Sequence, residues 1–195
     1  MDNTYWHYFL SLEQDFIKTS DYVEVCLRNF KSFSIRYLQL ILSLGSEVDV
    51  VMKRFCVVIN PKIKFKCSNL NEYRKVIVEK YPKFTNIKVP VIRYENMQIN
   101  PWREWKNETN PDWWHAYNDL KHERNIFFYQ ANLRNSIFAL AGLFSVLLYL
   151  YKATSSEEKL DPWSLIFDCE GSPGSLRTES SLILPDFPES RDLLD

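Results

Sequence analysis

Apolar residues in this chain recur mostly every three to four positions, a spacing that predicts helices along most of its length. The longest such pattern starts after Ser34, which can cap a helix running to about Val58. Tyr37, Ile41, Leu44, Val48, Val51, Met52 and Phe55 then share one stripe. Upstream, Thr4 to Lys18 predicts a first helix with Tyr5, Phe9, Leu12 and Phe16 inward and Glu13, Asp15 and Lys18 outward. Thr19-Ser20-Asp21 breaks it. Tyr22 to Phe33 fits either a short strand at Tyr22–Cys26 or an extended crossing. Pro61 ends the long helix, Leu70 to Lys80 makes a shorter one stopped before Pro82, and Ile87 to Arg93 alternates like a strand or an extended edge.

The second half repeats the helical pattern with different chemistry. Asn110 can cap a helix and Pro111 suits the first helical position, which predicts a helix from about Pro111 to Phe128. At 100° per residue, Trp113, Ala116, Tyr117, Leu120, Arg124 and Phe127 fall on one side. Asn118 and His122, at i and i+4, fall on the other, flanked by Lys121 and Asn125. Ala131 to Lys152 is a second long helix, apolar almost all round from Ser136 to Tyr151. That run ends at Arg134 and Lys152, short of the ~20 residues a membrane span needs, so it reads as a buried bundle helix with no membrane partner. Ala141, Gly142 and Ser145 would let another element approach closely, in the core or at a dimer seam. Ala153 to Lys159 is a polar linker. Trp163–Asp168 and Ser181–Leu184 look like short strands around the turn at 170–174, and an acidic tail follows from Pro185. The expected architecture is mainly α: a helical bundle over 1–153, and over 154–195 a small C-terminal β-hairpin appendage with its linker and tail.

Composition narrows the function. Over 195 residues, 46 % hydrophobic content and 15 % aromatics describe a globular chain, and a mere 4 glycines favour helices over tight turns. Net charge of −1 gives no global attraction to nucleic acid, so any RNA site must be a local basic patch. Cys26, Cys56, Cys67 and Cys169 have no C-x-x-C spacing and no histidine partners. They fit reduced thiols in the cytoplasm, and metal ligation does not suit them. Met1-Asp2-Asn3-Thr4 lacks the basic and apolar regions of a signal peptide. Phosphate-loop, dinucleotide, zincin and nucleophile-elbow motifs are absent, so no cofactor is implied. Glu13 with Asp15, and Glu157 with Glu158, are carboxylate pairs on what look like solvated faces.

Candidate chemistry concentrates on the Pro111–Phe128 helix. His122 has the residue type to act as a general base or acid near neutral pH, taking a 2′-OH proton so that this oxygen attacks the adjacent phosphorus. The alternative is an ordinary surface histidine. Asn118 could orient the imidazole or bond a phosphate oxygen, and Lys121 is the nearest cation. Arg124, on the apolar stripe, calls for a carboxylate partner if buried. Glu47 is the preferred one, while Asp49 and Lys53 can pair with each other beside it; contact between Arg124 and phosphate is the other option. Asn125 and Trp114 are further candidates for substrate contact. Trp102, Trp105, Trp113 and Trp114 form either a mini-core that fixes the helix or a base-stacking platform.

Tyr117-Asn118-Asp119-Leu120-Lys121-His122 resembles the motif of the HEPN superfamily, small helical-bundle proteins whose signature is an arginine, a polar residue, about three variable positions and a histidine. The resemblance places Asn118 and His122 on the polar and histidine positions. It departs at the arginine, where this chain has Tyr117, which reads as structural here. Proteins of this superfamily include metal-independent RNases of toxin–antitoxin, antiphage and RNA-processing systems. They usually act as dimers that bring two motifs together. The resemblance therefore implies a homodimer that binds or cuts RNA in a defence or toxin setting, with a cognate regulatory protein as a further partner. The other implied reading is a bundle of the same kind that has lost catalysis and serves as a dimeric interaction or regulatory module.

Overall fold

In a computed structural model the described residues are 3–63, 67–92, 97–154 and 160–168. They form a mainly α-helical bundle: α1 (Thr4–Ser20), α2 (Ile35–Ile59), α3 (Leu70–Lys80), α4 (Asp112–His122), the short α5 (Arg124–Phe127) and α6 (Leu133–Ala153). The one hairpin among these residues, β1 (Val89–Pro90) against β2 (Gln98–Ile99), pairs antiparallel with Val89 opposite Ile99. It lies between α3 and α4. The expected strand at Ser181–Leu184 and the tail from Pro185 lie outside the described residues.

α2 begins where its sequence says it should. Ser34 takes an extended backbone and its hydroxyl accepts from the Tyr37 N–H, satisfying one of the free donors of the first turn. All seven residues of the expected stripe are buried. α3 is capped in the same way by Asn69, which accepts from the Glu72 N–H, while the Glu72 carboxylate reaches back to the Ser68 N–H at 2.6 Å. Those bonds hold the Glu72 carboxyl below the usual carboxylate range.

α6 is the central element, buried from end to end and packed against α1, α2 and α4. It is long and apolar enough to qualify as a membrane span by composition, but 83 % of that window is buried inside the chain. Its small residues serve the interior. Ser145 Oγ accepts from Trp102 Nε1 at 2.8 Å, and a Cβ on Gly142 would stand 2.9 Å from the Trp113 ring. Ala141, Gly142 and Ser145 are therefore core positions, and a dimer seam along them is ruled out by their burial.

One expectation about burial in α1 fails. Tyr5 packs against the core half-buried, and the neighbouring Trp6 is the fully buried aromatic of the first turn. Glu13, expected outward, is 0 % exposed. Its carboxylate accepts from the Ser164 hydroxyl and from the N–H groups of Leu165 (3.0 Å) and Ile166 (3.2 Å). That clamp draws residues 160–168 onto the bundle. Phe167 bridges to Val91, and Ile166 and Phe167 join the same hydrophobic core as α6, so the core extends past residue 153.

Candidate functional site

The motif helix is positioned by its tryptophans. Trp113 packs edge-on to Trp102 with ring centroids 5.2 Å apart, Trp102 lies 4.6 Å from Trp105, and Trp113 Nε1 donates to the Pro101 carbonyl at 2.9 Å. All four tryptophans of residues 102–114 are buried, so this cluster is a mini-core. Trp114 is 8 % exposed and stacks within it, leaving no free face for a base. The helix starts one residue later than expected. Pro111 occupies the capping position, Asp112 is the first helical residue, and Asn110 makes no capping bond.

Tyr117 is also buried, and its ring lies where a side chain at position 45 would be. A Cβ on Gly45 of α2 would fall 2.3–2.7 Å from its ring atoms. The tyrosine thus packs α4 closely onto α2. Asn118, half-buried, donates its amide to the Trp114 carbonyl of its own helix at 3.0 Å. Lys121 and His122 are exposed in the last turn, with the Lys121 ammonium 5.6 Å from the Tyr117 ring centroid. Asn118, Lys121 and His122 therefore share the outward side of the helix end, as their spacing implied.

The largest correction concerns Arg124. The helix stops at His122, where Glu123 adopts the non-helical φ −134 and ψ 44, and α5 begins at Arg124. Arg124 consequently leaves the apolar stripe and is exposed, and Asn125, expected on the polar side, is exposed as well. No ion pair joins Arg124 to Glu47. Glu47 stays half-buried, and burial pushes its carboxyl above the ordinary carboxylate range. Asp49 and Lys53 do pair, at 2.6 Å, and Asp49 also accepts from the Tyr73 hydroxyl at 2.8 Å.

The turn after α5 joins α4 to a second segment that sequence inspection did not single out. Phe33 bridges to Asn132, the Ser34 N–H donates to the Ala131 carbonyl at 3.0 Å, and the Leu133 N–H donates to Ser32 at 3.0 Å. Phe33 also packs edge-on to Phe128 at 5.7 Å. Residues 26–36 contribute Arg28, Lys31 and Arg36, and residues 121–134 contribute Lys121, Arg124 and Arg134. Glu123 is the one carboxylate in either stretch. Nearby acids are engaged: Asp112 pairs with Arg134 at 3.2 Å, and Asp119 accepts from Gln130 at 2.9 Å. The same two stretches expose apolar side chains, with Phe33 54 % and Tyr129 58 % accessible. The absence of any acid from residues 26–36 was a legible signal; its junction with 121–134 was not.

Of the thiols, Cys56 and Cys67 are buried, and burial pushes Cys56 up to about 12, so it is held as an unreactive thiol. No family model, curated protein or solved structure matches this chain.

Proposed function

We propose that this protein binds RNA on the bundle end formed by residues 26–36 and 121–134. The observation that carries the reading is charge and exposure together. Six Lys and Arg residues, of which Arg134 is paired with Asp112, share two hydrogen-bonded segments that hold one Glu, with exposed Phe33 and Tyr129 among them. Cations neutralise phosphates while aromatic faces stack on unpaired bases, the combination expected of a single-stranded RNA surface on a chain with no net positive charge. The break at Glu123 favours this reading because it releases Arg124, with its bidentate fork, beside Lys121 and His122.

Cleavage is the finer proposal and rests on His122. The resemblance to HEPN RNases supplies the chemistry: the imidazole takes the 2′-OH proton, the 2′ oxygen attacks phosphorus, and the P–O5′ bond breaks as the 5′ oxygen takes a proton from water, giving a cyclic phosphate. Lys121 and Arg124 would stabilise the pentavalent charge in place of the arginine that Tyr117 displaces. A homodimer placing two such helix ends together would complete the site, in a cytoplasmic defence or toxin setting. A specific observation favours the alternative, a non-catalytic interaction module: Tyr117 and Asn118, the first two motif positions, both make structural contacts within the bundle.

The test is anisotropy of a labelled, unstructured RNA with the full chain, over a range of salt concentrations. Lys31→Ala and Arg124→Ala should each weaken binding and lower the salt slope by about 0.7. Arg124→Ala should leave stability within about 0.5 kcal/mol of wild type, as for an exposed side chain. Salt-independent or absent binding would remove the RNA reading. If binding is present, loss of cyclic-phosphate ends in His122→Ala, with EDTA without effect, would support cleavage. Binding with no cleavage by wild type would leave the chain a non-catalytic RNA binder.

A further inference from the structure

A second site lies on other elements, between α3 and the turns at 82–86 and 103–108. These enclose a cleft of about 560 Å³, lined by Arg74, Thr85, Asn86 and Trp105. The volume falls within the range of small-molecule sites. Two buried donors in its wall have no acceptor. Arg74 is 9 % exposed, and its Nη1 is sealed from water without a hydrogen-bond partner. Trp105 is 3 % exposed, and its Nε1 is equally without one. The other deeply buried indoles differ: Trp6, Trp102 and Trp113 donate to Pro162, Ser145 and Pro101 respectively. A buried guanidinium requires a counter-charge and acceptors, because its desolvation is otherwise uncompensated. The nearest carboxylate is a poor substitute. Glu108 approaches Arg74 Nη2 at 3.7 Å, beyond hydrogen-bond length, and its side chain is 85 % exposed.

The backbone at Glu108 strengthens the argument. It has φ of 58°, the single left-handed non-glycine residue among those described, in the turn that carries Trp105. Such conformations cost energy and concentrate at ligand clamps. Lys75 and Lys106 add positive charge at the rim against Glu79 and Glu108, while Val78 and Pro82 supply an apolar wall.

We infer that this cleft binds a small organic anion, whose phosphate or carboxylate group replaces Glu108 as the counter-charge of Arg74 and accepts from Trp105 Nε1. Planar oxyanions and phosphates both match the guanidinium fork, and the apolar wall suits the body of the ligand. Entry requires the 105–108 turn to yield, since both donors are sealed; the strained, exposed Glu108 is the part of that turn best placed to move. The site is separate from the proposed RNA surface and does not depend on it.

Titration of the 15N-labelled full chain with inorganic phosphate, and separately with acetate, at constant ionic strength tests this. The indole N–H signal of Trp105, assigned by its loss in Trp105→Phe, should shift saturably. Response to phosphate alone identifies a phosphate-bearing ligand, and response to acetate identifies a carboxylate. Arg74→Lys should weaken binding about tenfold, as loss of the charged fork predicts, and Glu108→Gln should tighten it. Glu108→Gln keeps the test decisive if Arg74→Lys fails to fold. Overturning results would be no saturable shift of the Trp105 indole with either anion, or an affinity unchanged by Glu108→Gln.

Discussion

Removing the Glu13 carboxylate should unhook residues 160–168 from the bundle. Glu13 is fully buried, has no cation partner among the described residues, and accepts from one hydroxyl and two backbone N–H groups of Ser164, Leu165 and Ile166. Glu13→Ala deprives the Ser164 hydroxyl and the Leu165 N–H of their acceptor and leaves the Ile166 N–H only its bond to the Ser164 hydroxyl at 3.3 Å. Each buried group left unsatisfied costs roughly 1–3 kcal/mol, and the three share one carboxylate and one loop, so their losses do not add fully. A loss of about 3–5 kcal/mol is therefore expected, a large share of the ~5–15 kcal/mol typical of a domain. At 2–4 °C per kcal/mol for a chain of this size, the melting temperature should fall by roughly 6–20 °C. Glu13→Gln keeps the shape but points an NH₂ at donor groups, so it should fall between. The assay is thermal melting by circular dichroism, paired with limited proteolysis around residues 160–168. Release of this segment also exposes Trp163, which packs 5.9 Å from both Trp6 and Phe144, so cleavage should speed up there before the helices melt. A Glu13→Ala protein melting within ~2 °C of wild type would refute the clamp.

Two further outcomes follow from burial. Gly45→Ala should destabilise by about 1–3 kcal/mol through overpacking against the Tyr117 ring, despite alanine's better helix propensity; in a Tyr117→Ala background the same change should stabilise, and paired urea midpoints read the reversal. Glu47→Gln should raise the melting temperature at neutral pH. Burial lifts the folded-state pKa of Glu47 above 4.5, so folded protein holds a proton that unfolded protein has lost, and stability falls as pH rises through that window. The difference between variant and wild type should therefore close as pH drops below about 4.5, and a gap that persists there would show the effect is not ionisation.

Helix positions were legible wherever cap and stripe agreed. Ser34 and Asn69 mark the starts of α2 and α3, and Pro61 and Pro82 follow their ends closely. Glu13 was misread although its position was informative. Phe9, Leu12, Glu13 and Phe16 have the i, i+3, i+4, i+7 spacing of a buried face, and charge alone argued for solvent. A carboxylate on such a face signals a clamp for a segment remote in sequence. Arg124 failed for the opposite reason. No glycine or proline marks the break at Glu123, and the contacts around it are tertiary: Phe128 on Phe33, and Gln130 on Asp119. A helical projection carried past that point put Arg124 on the buried face, where the structure exposes it.

The same break bears on how a motif lacking its arginine could still act on phosphate. Position 117 points into the bundle, against the space left by Gly45, so a guanidinium there would be buried against α2. The cation must come from a residue whose backbone has turned outward. Lys121 and Arg124 lie on either side of His122, one in the last turn of α4 and one after the break, and both are exposed. A continuous helix to Phe128 would have returned Arg124 to the core and left Lys121 as the cation of that face. Restoring the helix across Glu123 should thus cost RNA affinity in the same way as deleting Arg124. That couples the proposed function to one backbone feature, the turn between α4 and α5, rather than to the arginine position of the motif.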